Sequence, residues 1–307
     1  MKKYLKLIGN VLTLLSLLFI IYAVWKLGLD FSGIDNIPLC IFICIIGILL
    51  KTLTVLVSAL IWRNWLGFFA GKPADLREAL YVYTKANTGK YLPGNVMQYV
   101  ERNLFADKMG VNQKKIAISS LIEVMSLVLV AFITAMLFSY DQLLLALQSV
   151  REALGNRTIY LAVVVIILCL AVFLLICVLL RKKIGGALKE YSLTDFFRHL
   201  ILGMLGQALV LSVLGLIFVM LYVFMGGKTN GQVVLNIIAG YIISWVLGFV
   251  VPGAPGGIGI REMVLTLLVG SVVGKELVLT IALIHRFITI VGDFLAYLLG
   301  NAIHRLS

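Results

Sequence analysis

Two short segments combine proline and glycine with charged side chains in an otherwise apolar chain. The later one, residues 251–262, reads VPGAPGGIGIRE. Proline removes a backbone donor and glycine loosens a helix, so residues 252–259 cannot form a regular helix. Broken helices in transporters place free N–H groups and a positive helix end at the substrate site, and Arg261 adds a planar fork suited to phosphate. The pattern predicts an anion-binding broken helix, with a tight turn between two helices as the alternative.

The earlier segment, residues 85–102, has the same character and reads KANTGKYLPGNVMQYVER. Pro93 and Gly94 interrupt it between Lys90 and Arg102. The stretch is too short to span a bilayer and too apolar for a free loop. It therefore fits a re-entrant or interfacial half-helix. An amphipathic helix on the cytoplasmic surface fits equally well.

Charged residues also occur inside the long apolar stretches, where each costs about 2.5–3.5 kcal/mol unless it finds a partner or a wet cavity. Arg286 and Asp293 are seven residues apart, so they share a helix face but are two turns apart, and each should meet another helix. Glu123 and Glu262 are the candidate partners of Arg286. Lys51 is expected to reach an interface by snorkelling. Binding and structural ion pairing are both open for the other charges.

These features together predict a site for a lipid headgroup rather than a catalytic centre. The four cysteines and three histidines lack metal-ligand spacing, and the only acid–base pair available to an enzyme is Glu123 with His285. No cofactor, metal or catalytic residue is therefore expected. The predicted substrate-binding residues are Lys90, Pro93, Gly94, Arg102, Glu123, Pro255, Gly256, Gly257, Gly259, Arg261, Glu262, Arg286 and Asp293.

The composition requires that these residues be positioned inside a membrane. Of 307 residues, 62% are hydrophobic and 13% are charged, and the mean hydropathy is +1.08. Soluble domains are closer to half apolar and a quarter charged, so the excess must face lipid. The net charge of +12 arises mainly in loops between apolar runs. That placement indicates membrane topology and argues against a nucleic-acid partner.

The apolar runs predict an all-α integral membrane protein, since a spanning helix needs about 20 mainly apolar residues. We expect a bundle of about 7–8 transmembrane helices, with re-entrant or broken helices at the two Pro-Gly motifs. Residues 1–307 are expected to form one polytopic domain without a soluble domain. The predicted spans are residues 5–27, 37–62, 116–140, 159–180, 200–225, 233–251 and 277–302, with a short apolar segment at 263–273.

Lys and Arg are concentrated in alternate loops, which predicts that both termini are cytoplasmic in the cell membrane. The richest loop is residues 63–115. Trp62 and Trp65 lie near the end of a span, where tryptophan typically anchors a helix at the interface.

The segments NTGKYLPGNVMQYVERN and VPGAPGGIGIREMVL resemble the two signature regions of the lysylphosphatidylglycerol synthase transmembrane-region family. The resemblance extends over nearly the whole chain. That family includes the flippase half of bacterial multiple-peptide-resistance factors and many stand-alone membrane proteins. The resemblance implies re-entrant helices around a headgroup cavity. It also implies a Glu-Arg pair early in the following helix, where this chain has Glu123 but Val124 in place of Arg.

Three functions follow from these observations. The first is a lipid flippase or transporter for a phospholipid, an aminoacyl-lipid, or a polyprenyl-linked or glycolipid substrate. The second is an intramembrane transferase that modifies headgroups. The third is a membrane partner that recruits a glycosyltransferase or lipid synthase through the basic loop at residues 63–115. Membrane lipids are the expected partners in each case, and an oligomer stays open.

Overall fold

The computed structural model describes residues 36–92, 96–138, 192–250, 257 and 259–306. Within these ranges the chain forms eight α-helices and no strands. The all-α fold class is therefore confirmed. The predicted spans at residues 5–27 and 159–180 lie outside the described residues.

Five of the helices are long and apolar enough to cross a membrane. Each coincides with a predicted span, and the first extends past its predicted end at Trp62 to Ala70. Large apolar side chains on its outer face, such as Phe42 and Leu49, are more than half exposed, as expected of a surface in contact with lipid. The five helices are α1 (Ile37–Ala70), α4 (Gln113–Phe138), α5 (Leu193–Phe224), α6 (Gly231–Val250) and α8 (Lys275–Arg305).

Three shorter helices follow the two Pro-Gly segments or lead into them. They are α2 (Leu76–Asn87), α3 (Met97–Phe105) and α7 (Ile260–Val273), with 3-10 turns at Thr88–Tyr91 and Ala106–Met109. At about 1.5 Å per residue, α7 is about 21 Å long, shorter than the roughly 30 Å hydrocarbon core, so it cannot span alone. Helix α6 ends at Val250 and α7 begins at Ile260, and the two residues that the structure describes between them, Gly257 and Gly259, both have positive φ.

Local sequence accounts for where these helices begin and end. The side chain of Asn36 accepts a hydrogen bond from the Leu39 amide at 3.1 Å and caps the start of α1. Asp75 caps α2 in the same way, through the Glu78 amide at 2.9 Å. Gly274, with φ 96°, separates α7 from α8 in a conformation that other residues rarely adopt.

Helix α8 is the central helix of the described bundle. It contacts α1, α2, α5, α7 and the first 3-10 turn. Close approach is possible where a glycine faces a neighbour: a Cβ on Gly47 of α1 would lie 3.0 Å from Ile288 of α8. The prediction that Trp62 and Trp65 anchor the end of α1 at the interface is wrong. Both side chains are 0% exposed. The Trp62 indole donates to Ser120 Oγ at 3.2 Å, so its polar atom is satisfied inside the bundle.

Candidate functional site

A partly open cavity of about 130 Å³, with several charged side chains in its wall, lies where all eight described helices converge. Its size admits several water molecules, which fits the rule that charged groups at membrane depth need a wet cavity or partners. All of its charged residues except Lys51 belong to the predicted binding set. The charged residues that line it are Lys51, Lys90, Arg102, Glu123, Arg261, Arg286 and Asp293.

Asp293 is the acceptor of the first polar cluster. Its Oδ1 lies 3.1 Å from Lys51 Nζ and accepts from Asn87 Nδ2 at 2.9 Å. Its Oδ2 lies 2.6 Å from Lys90 Nζ and accepts from the Tyr91 hydroxyl at 2.5 Å. A carboxylate offers about four lone-pair positions, so this one is saturated. The cluster ties α8 to α1 and to the first part of the first Pro-Gly segment, before Pro93.

The prediction that Lys51 reaches an interface by snorkelling is wrong. The residue is 8% exposed and paired with Asp293. The neighbouring glycine explains how it gets there. A Cβ on Gly292 would lie 2.5 Å from Lys51 Cγ, so the lysine stem crosses α8 where a side chain is missing. The sequence signal for this contact is Gly292 directly before Asp293, a small residue beside a carboxylate in a buried helix.

Arg102 and Glu123 form the second cluster, a buried ion pair between α3 and α4. The Tyr83 hydroxyl donates to the other carboxylate oxygen of Glu123 at 3.1 Å. The guanidinium lies 4.0 Å from the Tyr83 ring centroid and 5.1 Å from that of Tyr99. Val124 also lines the cavity, and Arg102 from another helix supplies the partner of Glu123.

Arg286 and Glu262 form the third pair, which joins α8 to α7. Of the two candidate partners predicted for Arg286, Glu262 is the one that pairs with it. Arg286 Nη2 also donates to the Gly257 carbonyl at 2.9 Å. The other Glu262 oxygen accepts from the Gly259 amide at 2.7 Å, so the Glu262 side chain caps the N-terminus of α7. Burial opposes ionisation of Glu262, but its bonds to Arg286 outweigh burial and lower its pKa.

Arg261 differs from the other two arginines, because it makes no hydrogen bond or ion pair with any described residue. Its Nε is buried without a partner, and its guanidinium lies 5.6 Å from the Trp245 ring centroid. A Cβ on Gly248 would lie 2.5 Å from Arg261 Cγ, and one on Gly257 would lie 2.8 Å from its Nε. The arginine therefore occupies a slot that exists because two glycines lack side chains.

Two further groups on the first segment have shifted acidity. Burial lowers the pKa of Lys90 to about 7, against the charge of Asp293, which raises it. Glu101, which does not line the cavity, is 0% exposed, and neither carboxyl oxygen has a hydrogen-bond partner in the described part of the chain. Burial raises its pKa to about 8, although the charge of Lys85 lowers it. Both groups therefore lose much of their charge near neutral pH.

The described structure brings together most of the predicted binding set. Pro93, Gly94, Pro255 and Gly256 lie outside the described residues. Lys51, Asn87 and the tyrosines at 83 and 91 were missed. Asn87 and Tyr91 lie within the signature segment, but a neutral side chain carries no signal of its own until a buried charge is found beside it.

The two residues that a transferase would need, Glu123 and His285, make hydrogen bonds to different partners. Glu123 is held by Arg102 and Tyr83, whereas His285 Nε2 lies 3.1 Å from the Leu214 carbonyl and its ring packs on Tyr241. This arrangement matches a packed polar histidine. Among the described residues, no group of histidine, cysteine and acidic side chains could hold a metal ion.

The sequence is similar to that of one known protein family. Residues 8–296 match the model of one family, described as the lysylphosphatidylglycerol synthase TM region. No curated protein matches the chain. The family match supports a lipid-related role in a membrane. The chain, an α-helical membrane protein with a charged cavity at its centre, belongs to the lysylphosphatidylglycerol synthase TM-region family.

Proposed function

We propose that this protein moves a lipid or lipid-linked substrate across the membrane, with the headgroup in the charged cavity and the acyl or prenyl chains in the bilayer. The observation that carries the proposal is Arg261, a cation that lines the cavity without a counter-ion among the described residues.

An unpaired guanidinium at membrane depth is costly, by about 2.5–3.5 kcal/mol on insertion scales, and such groups commonly mark substrate pathways. A bound anion would offset that cost, and Arg261 presents a planar donor fork to the cavity. The surrounding helices expose apolar side chains outward, so an amphiphile can keep its chains in lipid while its headgroup enters. A lipid satisfies both surfaces at once.

The proposal includes a topology and a location. Both termini are cytoplasmic in the cell membrane, and the two Pro-Gly segments enter the bilayer as re-entrant elements. The lengths of α2, α3 and α7 support this arrangement, since each is too short to cross alone. Both segments then meet α8, where ion pairs through Asp293 and Arg286 hold them.

We propose further that the protein transports its lipid without altering it chemically. The acid–base pair available to an enzyme is split between different partners, which favours binding over catalysis. No nucleotide-binding motif is present in the sequence. Movement would then be passive, ion-coupled or drawn by consumption of the lipid on the other side.

A vesicle assay tests the proposal. The full chain is reconstituted in vesicles that carry a phospholipid with a fluorophore on one acyl chain, and a membrane-impermeant reductant quenches the outer leaflet. Wild type should expose the inner leaflet to quenching, and Arg261→Gln should remove most of that activity. Arg77→Gln, which removes an exposed charge outside the cavity, should transport like wild type.

Three outcomes would overturn the proposal. Normal transport by a well-folded Arg261→Gln protein would remove Arg261 from the pathway. A changed headgroup after incubation would favour the transferase. Co-purification of a stoichiometric lipid-synthesis or glycosyl-transfer enzyme, with no transport by the isolated chain, would favour recruitment.

A further inference from the structure

The cavity carries more positive than negative charge. Five cations line it, and the acids that meet them are Glu123 and Asp293 in the wall and Glu262 beside it. With Lys90 protonated, the described residues leave two positive charges uncompensated, and with Lys90 neutral they leave one. A ligand that restores neutrality must bring negative charge.

The three acids are already occupied. Asp293 accepts from four donors, Glu123 from Arg102 and Tyr83, and Glu262 from Arg286 and its own segment. No carboxylate facing the cavity in the described ranges is left to receive the ammonium group of an aminoacyl headgroup. An ammonium would also meet the uncompensated cations at close range, where repulsion is weakly screened.

Among the described residues that line the cavity, the unsatisfied groups are mainly donors. Arg261 has no polar partner there, and Arg102 Nε is also buried without one. The unpartnered acceptor in this wall is Gln207 Oε1, a neutral amide oxygen. A neutral amide suits a hydroxyl donor, so the wall matches an anion with a hydroxylated group attached.

Arg261 is also held in position for such an anion. Its guanidinium lies over the Trp245 ring, and its stem lies in the slot that Gly248 and Gly257 leave open. A guanidinium held in one orientation loses little side-chain entropy when it binds two phosphate oxygens. The geometry therefore favours a planar, bidentate contact over a diffuse charge interaction.

We infer that the headgroup taken by this cavity is an anionic phosphate, bound by Arg261, and that cationic aminoacyl headgroups are rejected. This inference rests on the proposed function, since it names the substrate class of the same site. It concerns binding, which can be measured without transport.

The test measures equilibrium binding of lipids to the purified full chain in detergent. Native mass spectrometry detects the bound lipid. The probes are phosphatidylglycerol, zwitterionic phosphatidylcholine, lysylphosphatidylglycerol and inorganic phosphate. Phosphatidylglycerol should bind at least about tenfold more tightly than the zwitterionic or cationic lipid, since hydrogen bonds to charged groups are worth about 1.5–3 kcal/mol. Inorganic phosphate should compete poorly, because it lacks acyl chains.

Arg261→Gln should reduce phosphatidylglycerol affinity roughly ten- to a hundredfold and abolish the preference, whereas Arg77→Gln should keep both. Arg261→Lys should retain part of the affinity, because it keeps the charge but loses the fork. A retained thermal transition in each variant establishes that the chain is folded.

Tightest binding of lysylphosphatidylglycerol, or an unchanged preference in Arg261→Gln, would overturn the inference. Equal competition by inorganic phosphate would overturn its lipid part and indicate a free-phosphate site. If phosphatidylglycerol binds through Arg261 but no lipid moves in vesicles, the proposed transport fails while the headgroup assignment holds. If lipids move without any headgroup preference, the assignment fails alone.

Discussion

The two Pro-Gly segments share a sequence character but differ in how their charges are used. In the first, Lys90 meets Asp293 and Arg102 meets Glu123. In the second, Glu262 pairs with Arg286, but Arg261 meets no acid in the described chain. In the first segment, Lys90 and Arg102 are paired with acids of the bundle. In the second segment, Arg261 remains available to a ligand.

This difference separates two roles that sequence alone left open, binding and structural ion pairing. A buried ion pair fixes the elements that carry it, because removal of one partner leaves a stranded charge. An unpaired cation contributes no such attachment, and its cost is offset only when an anion is present. We therefore expect charge removal in the first segment to damage stability and charge removal in the second to damage binding.

The largest effect should come from Glu123→Gln, which leaves Arg102 buried without a counter-ion. Breaking a buried pair on one side typically costs about 3–5 kcal/mol. Equilibrium unfolding in mixed micelles measures the change. Arg261→Gln, which removes a charge from the same cavity, should leave the free energy of unfolding unchanged or higher. If both substitutions destabilise equally, the proposed division between the two segments is wrong.

Asp293→Asn should have the next largest effect, a loss of about 2–3 kcal/mol, because two lysines lose their shared acceptor. The loss is expected to be smaller than for Glu123, since a buried lysine can release its proton whereas arginine cannot. The double variant Asp293→Asn with Lys51→Met should recover part of the stability in the same unfolding measurement. A double variant as unstable as the sum of both changes would exclude direct coupling between the two residues.

Much of the fold could be predicted because hydropathy at a length of about 20 residues directly reports a membrane helix. The polar end of α1 could not, since Arg63 interrupts the apolar run while Leu66 and Phe69 beyond it remain buried. Arg63 Nε donates to the Ala74 carbonyl at 2.8 Å, so the charge is used at the helix end.

The charged residues of the site could be predicted because ionisable groups are rare in apolar helices. Their pairing could not, because helix packing decides it. Arg102 of α3 pairs with Glu123 of α4. Lys51 reaches Asp293 only where Gly292 leaves room. The same packing buries Trp62 and Trp65, which by type and position suited an interface.

Phosphatidylglycerol binding should weaken as pH rises through about 7, because Lys90 then loses its charge. The groups facing it are Asp293, Lys51, Asn87 and Tyr91, with Arg261 farther off; Asp293 favours its charge and the other cations oppose it. The change between pH 6 and 8 should be severalfold, below the roughly tenfold worth of one full charged contact.

Lys90→Arg tests the origin of that pH dependence, because arginine stays protonated throughout this range. Titrations of the variant with phosphatidylglycerol should give nearly the same affinity at pH 6 and pH 8. An equally steep fall in the variant would assign the titration to another group.

Glu101→Gln should be the least destabilising substitution, because this acid has no hydrogen-bond partner among the described residues and does not line the cavity. With its pKa raised by burial to about 8, the carboxyl is mostly protonated at pH 7, and glutamine matches a neutral acid in size. The unfolding free energy at pH 7 should therefore be higher in Glu101→Gln than in wild type, because only the wild type must take up a proton on folding. The folded state holds this proton more tightly than the unfolded state, so wild-type stability should fall as pH rises between about 4.5 and 8. Unfolding at pH 6 and pH 9 should show that decline in wild type and a smaller one in Glu101→Gln. A loss at pH 7 comparable to that of Glu123→Gln would mean that Glu101 is ionised and paired, and that the first segment holds a further ion pair.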